Sequence, residues 1–201
     1  MKSPNPILNI QGKKIGRDYP TYFIADIAAN HDGDIERAKD LIYLAAEAGA
    51  DAAKFQHFKA ETIVSDFGFK TMGGKQSHQA NWKKSVFEVY KDASVSLEWT
   101  ATLKETCDKA GIPFFTTPYA LDIVDEINDS VPAYKIGSGD LTAYPVIKEF
   151  AKRGKPIILS TGLSNLREIN DTINFLIKQN KKYKSKEYLS VLQCTSSYPT
   201  P

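Results

Sequence analysis

Cysteine is nearly missing from this 201-residue chain, which holds only Cys107 and Cys194. Two cysteines so far apart cannot build a disulfide framework or a cysteine-rich metal site, and both read as buried thiols. Histidine is almost as scarce, with three residues and no HxxxH or HxH spacing, so no self-sufficient metal site is legible. No apolar run approaches the ~18 residues of a membrane span, and residues 1–18 lack a signal-peptide apolar region. The expectation is a cytoplasmic protein with no membrane partner. Neither sign of charge dominates: 26 basic residues against 24 acidic ones leave +2, too little to argue for nucleic acid. No GxGxxG follows the first strand-like run, and no GxSxG elbow occurs, which argues against a dinucleotide site and a serine hydrolase.

What is present is a repeated unit, an apolar strand ending in small polar residues and followed by a helix. At 42% hydrophobic and 25% charged, the chain has ordinary globular composition and can bury a sizeable core. Residues 7–10 and 13–17 flank Gln11-Gly12 and predict a small hairpin able to cap one end of a barrel. Strands are then expected over 22–29, 52–58, 113–119, 133–140, 156–162 and 188–196. Helices are expected over 34–50, 96–110, 120–128, 144–153 and 165–179, the last opened by Asn165 and Glu168 in a capping-box spacing. Residues 59–95 interrupt the pattern as one long irregular insert, a feature that is commonly functional. Alternating strands and helices mean a parallel sheet, and polar groups at successive strand ends point to a (β/α)8 TIM barrel. Six strands are supplied where eight are needed, so the expected fold is an α/β barrel truncated after about six strands.

The chemistry concentrates at the strand ends. Lys135 lies inside the run AYKIGSGD, and a lysine in an apolar strand is costly unless something negative pairs with it. Asp26, Lys54, Thr116, Thr117, Ser160 and Thr161 occupy the same end of other strands. Lys54 and Lys135 with Ser138 and Ser160 would suit a ligand bearing phosphate and carboxylate. Two rival readings stay open. Each lysine could simply pair with Asp26 or Asp140. Alternatively, one could act as a Schiff-base nucleophile, its pKa lowered by the other. His31 sits in a turn and could be a base or a plain loop histidine. His57 alternates away from Lys54 and Gln56, toward the helices.

Six ordered motifs, IADIAANHDGD, GADAAKFQHFKAE, FFTTPY, PAYKIGSGD, KPIILSTG and LQCTSSYPTP, give the chain a resemblance. From about residue 22 to residue 201 it resembles the N-acetylneuraminate (sialic acid) synthase family, which includes legionaminate and pseudaminate synthases and related spore-coat polysaccharide proteins. The resemblance implies condensation of phosphoenolpyruvate with an N-acetylmannosamine-type sugar to a nonulosonic acid and phosphate, with a divalent metal (Mn2+ or Mg2+) as cofactor. It matches Lys54, Lys135, Ser138 and Ser160 to positions that hold phosphoenolpyruvate. Asp26 stands where the family commonly has Glu, near the metal and the sugar aldehyde. Gln56 and Tyr198 match sugar-side positions, Ser196 a ligand-contacting one, and Asn81 is the candidate for an asparagine that the insert contributes. The family's metal-binding histidines and its small antifreeze-like domain, part of a domain-swapped homodimer, are expected beyond Pro201. A 201-residue chain of this kind is therefore expected to be inactive alone; a catalytically inactive fragment, or one half of a split enzyme, is the alternative from another class.

Overall fold

The computed structural model describes residues 7–72 and 82–197. Strands β1 (Leu8–Ile10) and β2 (Lys13–Ile15) pair antiparallel, Leu8 opposite Ile15. Gln11 and Gly12 between them both take positive φ, at 49° and 83°, the backbone of a two-residue hairpin turn whose twist suits the strands. Six further strands follow in chain order: β3 (Ile24–Ala28), β4 (Ala52–His57), β5 (Phe114–Pro118), β6 (Tyr134–Ile136), β7 (Ile157–Ser160) and β8 (Leu189–Leu192). They form two parallel three-stranded sheets, β3-β4-β5 and β6-β7-β8. Strands β5 and β6 lie side by side, but no ladder joins them among the described residues. The barrel expectation is thus met as an α/β arrangement of parallel strands that does not close.

Helices α1 (Ile35–Glu47), α5 (Trp99–Ala110), α6 (Leu121–Ile127), α7 (Tyr144–Arg153) and α8 (Leu166–Gln179) return the chain between strands. Their boundaries are set locally. Asp34 caps α1 by accepting from the Glu36 and Arg37 amides, and Gly111 and Gly154 end α5 and α7 in the left-handed conformation. Asn165 and Glu168 form the full reciprocal box. Ile169, Ile173 and Ile177 of α8 pack on the core, and Leu176 is fully buried. Leu166 stands at the helix's first position and is exposed. The insert is less irregular than expected. Its described part holds α2 (Ala60–Ile63), α3 (Asp66–Thr71) and α4 (Val86–Asp92), the last opened by a Ser85–Glu88 capping box.

Strand alternation divides the interior into two clusters. Ala53, Phe55, Phe114, Tyr134, Ile136, Ile157 and Leu159 face the helices, in one continuous core. Ala52, Phe115, Ala133 and Ile158 face inward and meet Leu8 and Ile10 of the hairpin. The hairpin caps the N-terminal end of the strands, as its sequence suggests. Burying each large apolar side chain there contributes about 1.5–3 kcal/mol. Along the inward face the residues turn polar toward the strand C-termini: Ala52 is followed by Lys54 and Gln56, Phe115 by Thr117, Ala133 by Lys135, and Ile158 by Ser160. One end of the inner face is sealed with hydrocarbon; the other is furnished for chemistry.

His57 points to the helices. Its ring nitrogens meet the Thr116 hydroxyl on β5 at 2.8 Å and the Thr100 hydroxyl on α5 at 3.0 Å, with no solvent exposure. Burial, with His31 nearby, pushes its pKa down to about 4. The neutral ring belongs to the folded state, whereas the unfolded ring titrates near its ordinary ~6.5. His57 therefore contributes stability that is complete above pH ~6.5 and lost as pH falls through about 4. The loss is on the order of 3 kcal/mol, at about 1.4 kcal/mol per pH unit. Urea denaturation from pH 7 to pH 4 checks this: His57→Gln should flatten the decline, and an unchanged slope would place the acid sensitivity elsewhere.

Candidate functional site

Parallel register brings the inward polar residues together. Asp26 pairs in register with Lys54 across β3 and β4, and a register shift follows between Asp26 and Ala28, where Ala28 takes φ 49°. Lys54 Nζ donates to Asp26 Oδ1 at 2.9 Å. The lysine side chain is 8% exposed and the carboxylate 56%, so the pair joins a buried cation to an open anion. Without Asp26 that ammonium would be nearly enclosed and unpaired, the costly case.

Lys135 is held differently. Its Nζ donates to Ser160 Oγ at 2.5 Å and to the Ile136 carbonyl at 3.2 Å, and among the described residues it makes no ion pair within 4.0 Å. Burial and then the Lys54 charge lower its pKa, opposed by Asp26 and Asp140. Burial likewise raises the Asp140 carboxyl, with Lys135 opposing. Lys135, Asp140, Thr117 and Tyr119 line one small cavity of about 50 Å³. Above it, sharing Tyr119 and Asp140, opens a cleft of about 980 Å³ at the C-terminal ends of the strands. Gln56, Ser138 and Ser196 line this cleft. Ser138 Oγ accepts from the Gly162 amide at 2.9 Å. A Cβ at Gly162 would stand 1.8 Å from Ser196 Oγ and 2.9 Å from Ser138 Oγ, so a larger residue there would displace both hydroxyls.

The local-pairing alternative therefore holds for Lys54 and fails for Lys135. Asn81 and Tyr198 lie outside the described residues. Thr116 faces His57, because alternation aims Thr117 inward instead. Thr161 donates to the Leu192 carbonyl at 2.7 Å, tying β7 to β8 rather than serving the site. His31 is buried, accepts from the Gly33 amide at Nδ1 and packs edge-on against Trp99. Burial lowers its pKa against the Asp32 charge. Cys107 is buried, but Cys194 corrects the reading of two buried thiols: it is half-buried beside Ser160, Ser138 and Lys135. Burial pushes its thiol up, and hydrogen bonds from Ser160, the Thr161 backbone and Ser138 more than offset this, giving a net downward shift. Period two continued past β8 from Leu192 would have aimed Cys194 inward.

The NeuB family model matches residues 41–201, most of the chain. The chain belongs to the NeuB family. Among curated members it is 37% identical over 185 residues to the N,N'-diacetyllegionaminic acid synthase of Campylobacter jejuni, covering 90% of this chain and 53% of that one. It is 31% identical over 192 residues to human N-acetylneuraminate-9-phosphate synthase, covering 94% and 50%. The chain thus spans about half the length of these NeuB-family relatives. A sialic acid synthetase from Leptospira borgpetersenii, crystallised with citrate, superposes with a TM-score of 0.78 at 29% identity over 98% of this chain and 62% of that one. A DAHP synthase from Thermotoga maritima shares the fold alone, at 14% identity and a TM-score of 0.63 over 94% and 46% of the two chains.

Asp26 is the carboxylate in direct contact with a lysine at the strand ends, while Asp140 acts on Lys135 at longer range and is itself pushed toward its neutral form by burial. Asp26→Asn should keep or tighten the binding of inorganic phosphate, measured by calorimetry at fixed ionic strength. Loss of phosphate binding would instead make Asp26 the support that holds Lys54 in place.

Proposed function

We propose that this NeuB-family chain supplies the phosphoenolpyruvate-binding part of a nonulosonic acid synthase with the (β/α)8 barrel of its family, joining phosphoenolpyruvate to an N-acetylated mannosamine-type sugar. The observation that carries the reading is Lys135, a partly buried ammonium held by the Ser160 hydroxyl and, among the described residues, in no ion pair within 4.0 Å. A ligand with phosphate and carboxylate supplies the missing charge to Lys135 and Lys54. Ser138 and Ser160 then offer hydroxyls, and the Gly162 amide fixes Ser138.

In the reaction, the alkene carbon of phosphoenolpyruvate attacks the aldehyde carbon of the open-chain sugar and forms the new C–C bond. The aldehyde oxygen takes up a proton. The adjacent carbon becomes oxocarbenium-like, water adds to it and loses a proton, and the C–O bond to phosphate then breaks, leaving a 2-keto acid and inorganic phosphate. Lys54 and Lys135 hold the anion and balance its charge as it moves. Asp26, the exposed carboxylate beside Lys54, is placed on the acceptor side. Among the described residues no group of three or more His, Cys, Asp or Glu is gathered, and His31 is enclosed. These residues do not form a complete site for the divalent metal of the family, and no step is assigned through one.

One observation favours a second reading. The lowered Lys135 pKa suits a Schiff-base aldolase, in which the neutral amine attacks a ketone. Borohydride with pyruvate would trap that imine by mass and inactivate the protein. The anion reading expects no trapped adduct. It also expects Lys135→Ala and Lys135→Arg to raise the phosphoenolpyruvate requirement at least tenfold, since a planar guanidinium does not replace a compact ammonium. Unchanged phosphoenolpyruvate affinity in both variants, measured by calorimetry, would refute it.

A further inference from the structure

The large cleft is lined unevenly. On the strand-loop side stand Ser138, Asp140, Gly162 and Ser164, all small or polar residues. On the insert side stand three aromatic rings from three separate elements. Phe58 follows β4 and is 5% exposed. Tyr90 belongs to α4, and Tyr119 follows β5. Phe58 lies 5.6 Å from Tyr90 at an interplanar angle of 54° and 6.1 Å from Tyr119 at 77°. Tilted rings at these angles make a cup, with Phe58 buried most deeply and a tyrosine to each side. A flat heterocycle needs parallel faces to stack between, and this corner has none. A rounded apolar group fits it.

A plain polyhydroxylated sugar would match the polar wall and leave this corner facing hydroxyl groups that lose water without finding partners. An amino sugar carrying an acyl group presents one methyl-ended, apolar substituent on an otherwise polar body. We propose that Phe58, Tyr90 and Tyr119 form the acyl-reading corner of the acceptor subsite, which selects sugars bearing a short N-acyl group. This rests on the synthase reading above and adds the residues that discriminate between acceptors. Tyr90 is the specificity-determining member, because α4 of the insert brings it over the cleft. The capping box of Ser85 and Glu88 begins that helix, so the insert's local order places the ring.

A reporter lies next to the corner. Trp82 is 6.5 Å from Tyr90, and the only other tryptophan, Trp99, packs on His31. With Trp99→Phe as background, Trp82 emission can be followed while the chain is titrated with N-acetylmannosamine or with mannose, which carries hydroxyl in place of the acetamido group. The acylated sugar should bind at least tenfold more tightly, the scale of one small apolar group in a fitted pocket. Tyr90→Ala should erase that difference and Tyr90→Phe should keep it. Tyr119→Ala, from the opposite side of the cup, should reduce it too. Equal affinity for the two sugars, or a preference that survives in both alanine variants, would overturn the assignment. This readout needs no turnover, so it separates the two proposals. Acyl preference without phosphoenolpyruvate binding would refute the synthase reading and leave the corner standing. Phosphoenolpyruvate binding without acyl preference would do the reverse.

Discussion

The site depends on an imbalance of charge at one end of a parallel sheet. Lys54 and Lys135 reach the same region, and one carboxylate, Asp26, pairs with the first of them. A fold gains nothing from holding a second ammonium beside the first in a place shielded from water. The Ser160 hydroxyl satisfies part of the hydrogen bonding of Lys135 but none of its charge. That residual cost is acceptable where a ligand supplies the counter-charge, and strand register keeps the arrangement preorganised until it does. The same imbalance reaches Cys194 and Asp140, whose titration each responds to Lys135.

The scaffold makes the imbalance affordable by separating its two ends. Phe115, Ile158, Leu8 and Ile10 fill the inner face near the strand N-termini, where the hairpin closes it. Polar residues follow two positions later on the same faces, so one alternation pattern builds both the seal and the site. The helices contribute the outer core and fix the strands' register, while His57 ties β4 and β5 to α5 without entering the site. Function therefore occupies one end of the inner face, while the apolar seal at its other end and the helix-facing core hold the strands together.

Much of this was legible from residue order. The direction of His57, the capping box of α8, the hairpin and the shared face of Lys54 and Gln56 all follow from period two or from cap spacing, which are local rules. Pairing of Lys54 with Asp26, and its absence for Lys135, was not legible, since both depend on register between strands and on how far each side chain is enclosed. The division of Thr116 from Thr117 needed alternation applied residue by residue. Cys194 was missed because the scarcity of cysteine was read as burial, although alternation along the expected strand 188–196 puts it on the inward face. The helices of the insert had a visible cue in Ser85 and Glu88, but the aromatic cup had none: Phe58, Tyr90 and Tyr119 are brought together only by the tertiary fold.

The account rests on Lys135 being a charged anchor whose partner is the ligand's anion. A 13C NMR titration of the Lys135 side chain, assigned by comparison with Lys135→Arg, tests this directly. The free protein should show a pKa below that of an ordinary lysine, and saturating phosphoenolpyruvate should move it upward, because a bound anion favours the ammonium. A Lys135 pKa that phosphoenolpyruvate leaves unmoved, at concentrations that saturate the protein, would contradict the account.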